Sequence, residues 1–146
     1  MGIEQHPQNI ELMLLKSEIY LFEGSLKEAE ALLVQIESIS PEHEEIFLQK
    51  ANISSKKKDH LRAIQLLEKA LDISDDPIEI WNLIGMEYLF LDDYIKAKEF
   101  FYKCVKENSL DYQTLYNHLY CSEQLKENSE AINTLNDLLE INPYSE

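Results

Sequence analysis

A frame of 34 residues slides along this chain without slipping, and that regularity constrains the fold more than any other feature. Alanine recurs at Ala29, Ala63, Ala97 and Ala131, and four residues after each stands Leu33, Leu67, Phe101 or Leu135. Within one frame the apolar positions fall at i, i+3, i+4 and i+7, as in Ala29, Leu32, Leu33 and Ile36, which is one face of an α-helix. A single helical pair of this length cannot bury its apolar face alone, so neighbouring copies must stack into a continuous core. The most distinctive copy runs from Ile78 to Asp111. Trp81, Gly85 and Tyr88 share one helical face there, and Ala97, Phe101 and Cys104 follow at helical spacing beyond a turn at Asp92-Asp93.

The boundaries of the helices are legible from their punctuation. Only 3 glycines and 4 prolines interrupt 146 residues, which favours long helices and short connections. Asn9 can cap a first helix from Ile10 to about Glu23, and Gly24 supplies the reversal after it. Ser25-Leu26-Lys27-Glu28 reads as a capping box at the start of a second helix, about Leu26 to Ile39. Ser40-Pro41 reads as a cap followed by proline at the first helical position. Lys56-Lys57-Lys58 suits the negative end of the third helix rather than a phosphate site or nuclear address. Asp59 caps His60 to Ile73, Asp76-Pro77 repeats the cap-plus-proline start, and Asp93 caps about Tyr94 to Glu107. A fourth pair is expected over about Asp111 to Gln124 and Asn128 to Ile141.

This organisation resembles the tetratricopeptide repeat family across almost the full chain, in four units: 10–43, 44–77, 78–111 and 112–145. The bulky anchor column is Met13, Phe47, Trp81 and Leu115. The small column is Ser17, Ala51 and Gly85, broken by Leu119, and the tyrosine column keeps Tyr20 and Tyr88 but holds Ser54 and Ser122 elsewhere. The closing proline survives as Pro41 and Pro143, replaced by Asp75 and Ser109. The resemblance implies an all-α fold, an α-solenoid winding as a right-handed superhelix, with the first helix of each pair lining a concave groove. Residues 1–9 read as the tail of a preceding repeat, and 142–146 as the start of a missing fifth. On that reading Leu135, Leu138 and Leu139 are partly exposed and favour end-to-end self-association.

Gly2, Gly24 and Gly85 are too scattered for a phosphate-cradling loop, and the histidines and cysteines lack metal-ligand spacing. No cofactor is expected and no enzymatic activity. His118 reads as a packing or groove histidine, with Cys121 packed nearby. Glu87 falls in a column otherwise held by Ile19, Ile53 and Cys121, so partial burial with a hydrogen bond or ion pair is expected.

Thirteen basic against 28 acidic residues give a formal charge of −15, which disfavours nucleic acid and anionic membrane and favours basic partners. No stretch approaches the roughly 20 apolar residues of a membrane span, and the expected compartment is the cytoplasm. By resemblance, the groove residues are Phe22, Asn52, Lys56, Asn82, Met86, Phe90, Tyr116, Tyr120 and Glu123, with Leu14, Leu21, Leu48 and Leu89 either in the groove or packed between units. The Lys, Asn and Arg clamp with which some family members hold a chaperone's C-terminal carboxylate matches only at Asn52. Aromatic rings between Glu11, Glu18, Glu45, Glu79 and Glu123 suit a basic peptide or helix with apolar anchors. The expected function is a protein-interaction scaffold. The alternatives are a non-catalytic regulatory or structural segment of a larger protein, or a self-associating array.

Overall fold

In a computed structural model of the chain, residues 7–107, 111–126 and the separate positions 132, 133, 136, 137 and 140 are described. They contain seven α-helices and no strand: α1 Pro7–Glu23, α2 Leu26–Ile39, α3 Glu44–Lys56, α4 His60–Ile73, α5 Pro77–Phe90, α6 Tyr94–Glu107 and α7 Tyr112–Gln124. The five separate positions are helical. The expected exposure of Leu135, Leu138 and Leu139, and the readings of 1–6 and 142–146, lie outside the described residues. Two compact units divide the chain, residues 1–75 and 76–146.

In the first unit α1 pairs with α2 and α3 with α4, and α3 also touches α1 and α2. Its core joins Leu14, Leu21, Ala29, Leu33, Ile36, Ile46 and Ile53. Burial of this set supplies the main cohesion, at roughly 1.5–3 kcal/mol for each large side chain. A polar clasp crosses between the two first helices: the Gln49 side chain of α3 donates from Nε2 to the Leu14 carbonyl of α1 at 3.1 Å. Lys50–Glu37 and Lys57–Glu30 tie α3 to α2 on the outside. Both pairs are partly solvated, so each is worth at most about 1 kcal/mol.

In the second unit α6 packs against both α5 and α7. Ala97, Phe101 and Cys121 form its centre, with Met86, Tyr88, Leu89 and Tyr94 against them. Tyr88 stacks on Phe100 with centroids 5.9 Å apart, and Lys103 lies over both Phe100 and the half-buried Trp81. Glu87 is buried, as its column suggests.

The turn after each first helix repeats the same left-handed step. Gly24, Lys58, Asp92 and Lys126, spaced by 34, all have left-handed backbone with φ of 84°, 67°, 58° and 60°. Each N–H bonds back three residues, to the carbonyls of Leu21, Ser55, Leu89 and Glu123. In the first three turns the next N–H reaches back five residues, to Tyr20, Ser54 and Tyr88. These three are Schellman C-caps, which satisfy carbonyls that a helix end would otherwise leave open.

Three helix starts differ from the reading of the sequence. Asn9 lies inside α1, which begins at Pro7, so it caps nothing. Ser25 precedes α2, but its side chain makes no capping bond; its own N–H is committed to Tyr20 in the preceding Schellman turn. Ser40 closes α2 by donating its N–H to Ile36, and Pro41-Glu42 form a turn. His43 caps α3 instead, its Nδ1 accepting from the Glu45 N–H at 3.2 Å. The aspartates do cap: Asp59, Asp76, Asp93 and Asp111 accept from the backbones of Arg62, Ile78, Lys96 and Gln113.

Candidate peptide-binding surface

The sequence-predicted residues sit on first helices, in two separate sets. In the first unit Phe22 on α1 is almost fully exposed, and Asn52 and Lys56 on α3 are exposed. Leu14 and Leu21, which the sequence left between groove and packing, are buried in the core against α2 and α3 and cannot meet a ligand. They occupy the inner side of α1, where Ala29 lets α2 approach closely. Leu48 is half-buried.

In the second unit α5 carries Asn82, Met86 and Phe90, and α7 carries Tyr116, Tyr120 and Glu123. Phe90, Tyr116, Tyr120 and Glu123 are exposed; Asn82, Met86 and Leu89 are half-buried. Asn117 joins the two helices by donating from Nδ2 to Met86 Sδ at 3.5 Å, and Gln113 donates in turn to Asn117 Oδ1 at 3.2 Å. Asn117 stands two repeats after Gln49, so one column supplies the clasp between first helices in both units. Asn82 Oδ1 is buried and accepts no hydrogen bond among the described residues. It is an acceptor with its solvation already lost, which a donor would relieve at little further cost.

Tyr94 belongs to this surface and was missed by the sequence reading. Its ring meets Tyr120 edge-on at 6.0 Å, and its hydroxyl donates to Asp92 at 3.2 Å. Burial, then the hydrogen bonds with Tyr120 and Asp92, push the Tyr94 phenol up to about 12. No periodic signal marks it, because it opens α6 and its importance comes from α7. Together α5, α7 and the start of α6 offer aromatic faces and edges beside carboxylates, groups suited to contact and cation binding.

On another side, Lys98, Tyr102 and Val105 of α6, His118 of α7, and Asn133 and Asp137 line a cleft of about 270 Å³. His118 is buried and tilts against Tyr102 at 5.8 Å, a packing role. Burial pushes the Cys104 and Cys121 thiols up to about 11, so both are protonated at neutral pH. Among the described residues no cluster could hold a metal ion, and no helix is long and apolar enough to cross a membrane.

The model of one family, the tetratricopeptide repeat, matches residues 44–77, 78–109 and 112–145. The chain belongs to the tetratricopeptide repeat family. Solved tetratricopeptide structures share the fold. A MamA protein superposes with a TM-score of 0.78 at 18% identity, covering 92% of this chain and 74% of its own. YrrB, described as a tetratricopeptide protein with an unusual peptide-binding site, gives 0.75 at 16% identity, covering 90% and 68%. PilF of Pseudomonas aeruginosa gives 0.76 at 18% identity, covering 93% and 62%. Among curated protein sequences none matches. The tetratricopeptide assignment makes this an all-α solenoid, a fold that generally mediates protein–protein interaction and is generally non-catalytic.

Proposed function

We propose that this tetratricopeptide chain is a cytoplasmic scaffold of four repeats, 10–43, 44–77, 78–111 and 112–145, that binds a peptide or helix and catalyses nothing itself. The binding surface is that of α5 and α7, and the ligand is basic with apolar anchors. One observation carries this reading: Phe90, Tyr116 and Tyr120 are all exposed on helices that the Met86–Asn117 bond joins, with Glu123 beside them. Exposed rings grouped in this way cost solvation unless a partner covers them, and rigid aromatics contribute heavily to binding. A formal charge of −15 steers cations toward them. The neighbour YrrB, with its peptide-binding site, shows that such a use is within the reach of the fold. In the other unit Phe22, Asn52 and Lys56, exposed on first helices, are further contact residues.

Titration calorimetry with three peptides tests the reading. They share apolar anchors and carry lysine, glutamine or glutamate between them. Affinity is expected to fall in that order and to weaken with salt for the lysine peptide. Equal affinities, or preference for glutamate, would overturn it.

Self-association is the second reading, favoured by the exposure of Leu12, Leu15 and Ile19 on α1.

A further inference from the structure

In the pair α5–α6 an aromatic ring fills the seam between the helices. Tyr88 stacks on Phe100 with centroids 5.9 Å apart, and the Lys96 ammonium lies over the Tyr88 ring at 5.5 Å. One repeat earlier, in the pair α3–α4, the same three columns hold Ser54, Leu66 and Arg62. A serine side chain ends at its hydroxyl, so the place of the ring is left open. Ser54, Leu66 and Arg62 there line a cleft of about 220 Å³, bounded by α2, α3 and α4 within one compact unit.

The cleft has an apolar floor and a cationic rim. Leu33, Ile53 and Leu66 are buried along it, and Val34 stands exposed at its side. Lys50, Lys57 and Arg62 also line it, with Glu30 the one carboxylate among the lining residues, in a chain where acids outnumber bases 28 to 13. Two of these cations are already paired, Lys50 with Glu37 at 2.6 Å and Lys57 with Glu30 at 2.8 Å. Arg62 is the one arginine of the chain. Among the described residues it pairs with no carboxylate; its guanidinium donates to the neutral Gln65 at 3.5 Å. A guanidinium presents a planar fork of donors that a carboxylate fits with two parallel bonds. The cleft is smaller than the roughly 300 Å³ at which sites for whole small molecules begin, so it suits one inserted side chain.

We infer that this cleft is a second binding site, for an acidic peptide segment that inserts an aromatic side chain. The ring takes the place that Tyr88 fills in its own pair, against Ile53 and Leu66, and a neighbouring carboxylate of the peptide meets Arg62. Aromatic burial supplies the contact area, and the arginine selects the charge. A nucleic acid is a poor occupant, because the charge of −15 repels a dense run of phosphates far more than a peptide with one or two carboxylates. The residues are distinct from those of the α5 and α7 surface, and the charge preference is opposite.

Calorimetry on the full chain, with a short peptide carrying one tyrosine between two glutamates, tests the inference. Wild type is expected to bind it, and to lose at least tenfold when the tyrosine becomes alanine or the glutamates become glutamine. Ser54→Tyr restores the residue that Tyr20 and Tyr88 hold in this column, so the fold is retained, which circular dichroism checks. Its ring closes the cleft, and affinity should fall at least tenfold. Arg62→Gln alters an exposed side chain and keeps the Asp59 cap, which bonds to the Arg62 backbone; it should lose a similar factor and decides the matter if Ser54→Tyr does not fold. Tyr116→Ala with Tyr120→Ala should leave this affinity at the wild-type value. No binding by wild type, or unchanged affinity in either folded cleft variant, would overturn the site. Loss of binding in the Tyr116, Tyr120 variant would move the peptide to the other surface and overturn it too. Equal affinity for inorganic phosphate would show an anion site without a place for the ring, and would contradict the inference.

Discussion

Gly85 of α5 lies directly beneath the ring of Phe101 in α6: a Cβ added at Gly85 would stand 2.7 Å from Phe101 Cε1 and 2.9 Å from Cζ. That separation leaves no room for a methyl group, and Phe101 is fully buried and cannot swing aside. The small column of the repeat is thus a steric requirement of the crossing. Gly85→Ala is expected to cost about 1–3 kcal/mol through overpacking, although alanine favours the helix itself. Ala97→Leu, at a second fully buried position, should cost a similar amount. Phe101→Leu should recover part of the Gly85→Ala loss, giving a favourable coupling in a double-mutant cycle by chemical denaturation. Additive losses would show that the two residues do not share the crossing.

The repeated left-handed turn gives a prediction of both signs. Gly24 adopts φ of 84°, so Gly24→Ala is expected to destabilise by about 1 kcal/mol, and nothing within 4 Å of the added Cβ adds a clash. Lys58 and Lys126 hold the same backbone with side chains that disfavour it. Lys58→Gly and Lys126→Gly should therefore stabilise, by up to about 1 kcal/mol, since relief of the left-handed strain exceeds the extra unfolded-state entropy of glycine. Lys58→Gly leaves the Lys57–Glu30 pair intact, so its melting temperature reports the turn alone.

How far the sequence foretold these features depended on how locally each is determined. Asp59, Asp76, Asp93 and Asp111 were legible as caps because an aspartate side chain reaches its own helix's free N–H groups without help from elsewhere. Gly85 was legible as a close contact because its column is small in three of the four units, at Ser17, Ala51 and Gly85. Ser25 and Ser40 misled because their backbones serve the helix that ends before them, a commitment no hydroxyl advertises. Lys58 hid its left-handed conformation because the Schellman bonds, not the residue type, impose it. On the candidate surface, Tyr116 and Tyr120 were readable from i, i+4 spacing, whereas Tyr94 was not, since its partner lies on another helix. The burial of Leu14 and Leu21 was likewise beyond the sequence, because apolar character is common to a groove and a core.

Alkaline pH should weaken the fold in a defined window. Burial raises Cys104 and Cys121 from 9.0 to about 11, and Tyr94 rises from 10.0 to about 12. In each case the folded state holds its proton above the pH at which the unfolded chain loses it. The associated stability is complete below about pH 9 and is lost as pH rises through the folded values. Urea midpoints are expected to be level to pH 9 with respect to these groups and to decline from there to pH 11. The Cys104→Ala, Cys121→Ala double variant should show a shallower decline over the same interval. Identical slopes would mean that the thiols are not protected by burial. A thiol reagent at pH 8 should modify the native chain only at the rate of its opening.

The central claim, that this repeat protein binds a basic, apolar partner through α5 and α7, is tested most directly by the affinity of Tyr116→Ala with Tyr120→Ala. Both rings are exposed and outside the core, so the melting temperature is expected to stay within a few degrees of wild type, as for ordinary surface substitutions. The lysine-bearing peptide should lose at least tenfold in affinity, corresponding to about 1.4 kcal/mol. Unchanged affinity in a folded double variant would contradict the assignment of this surface.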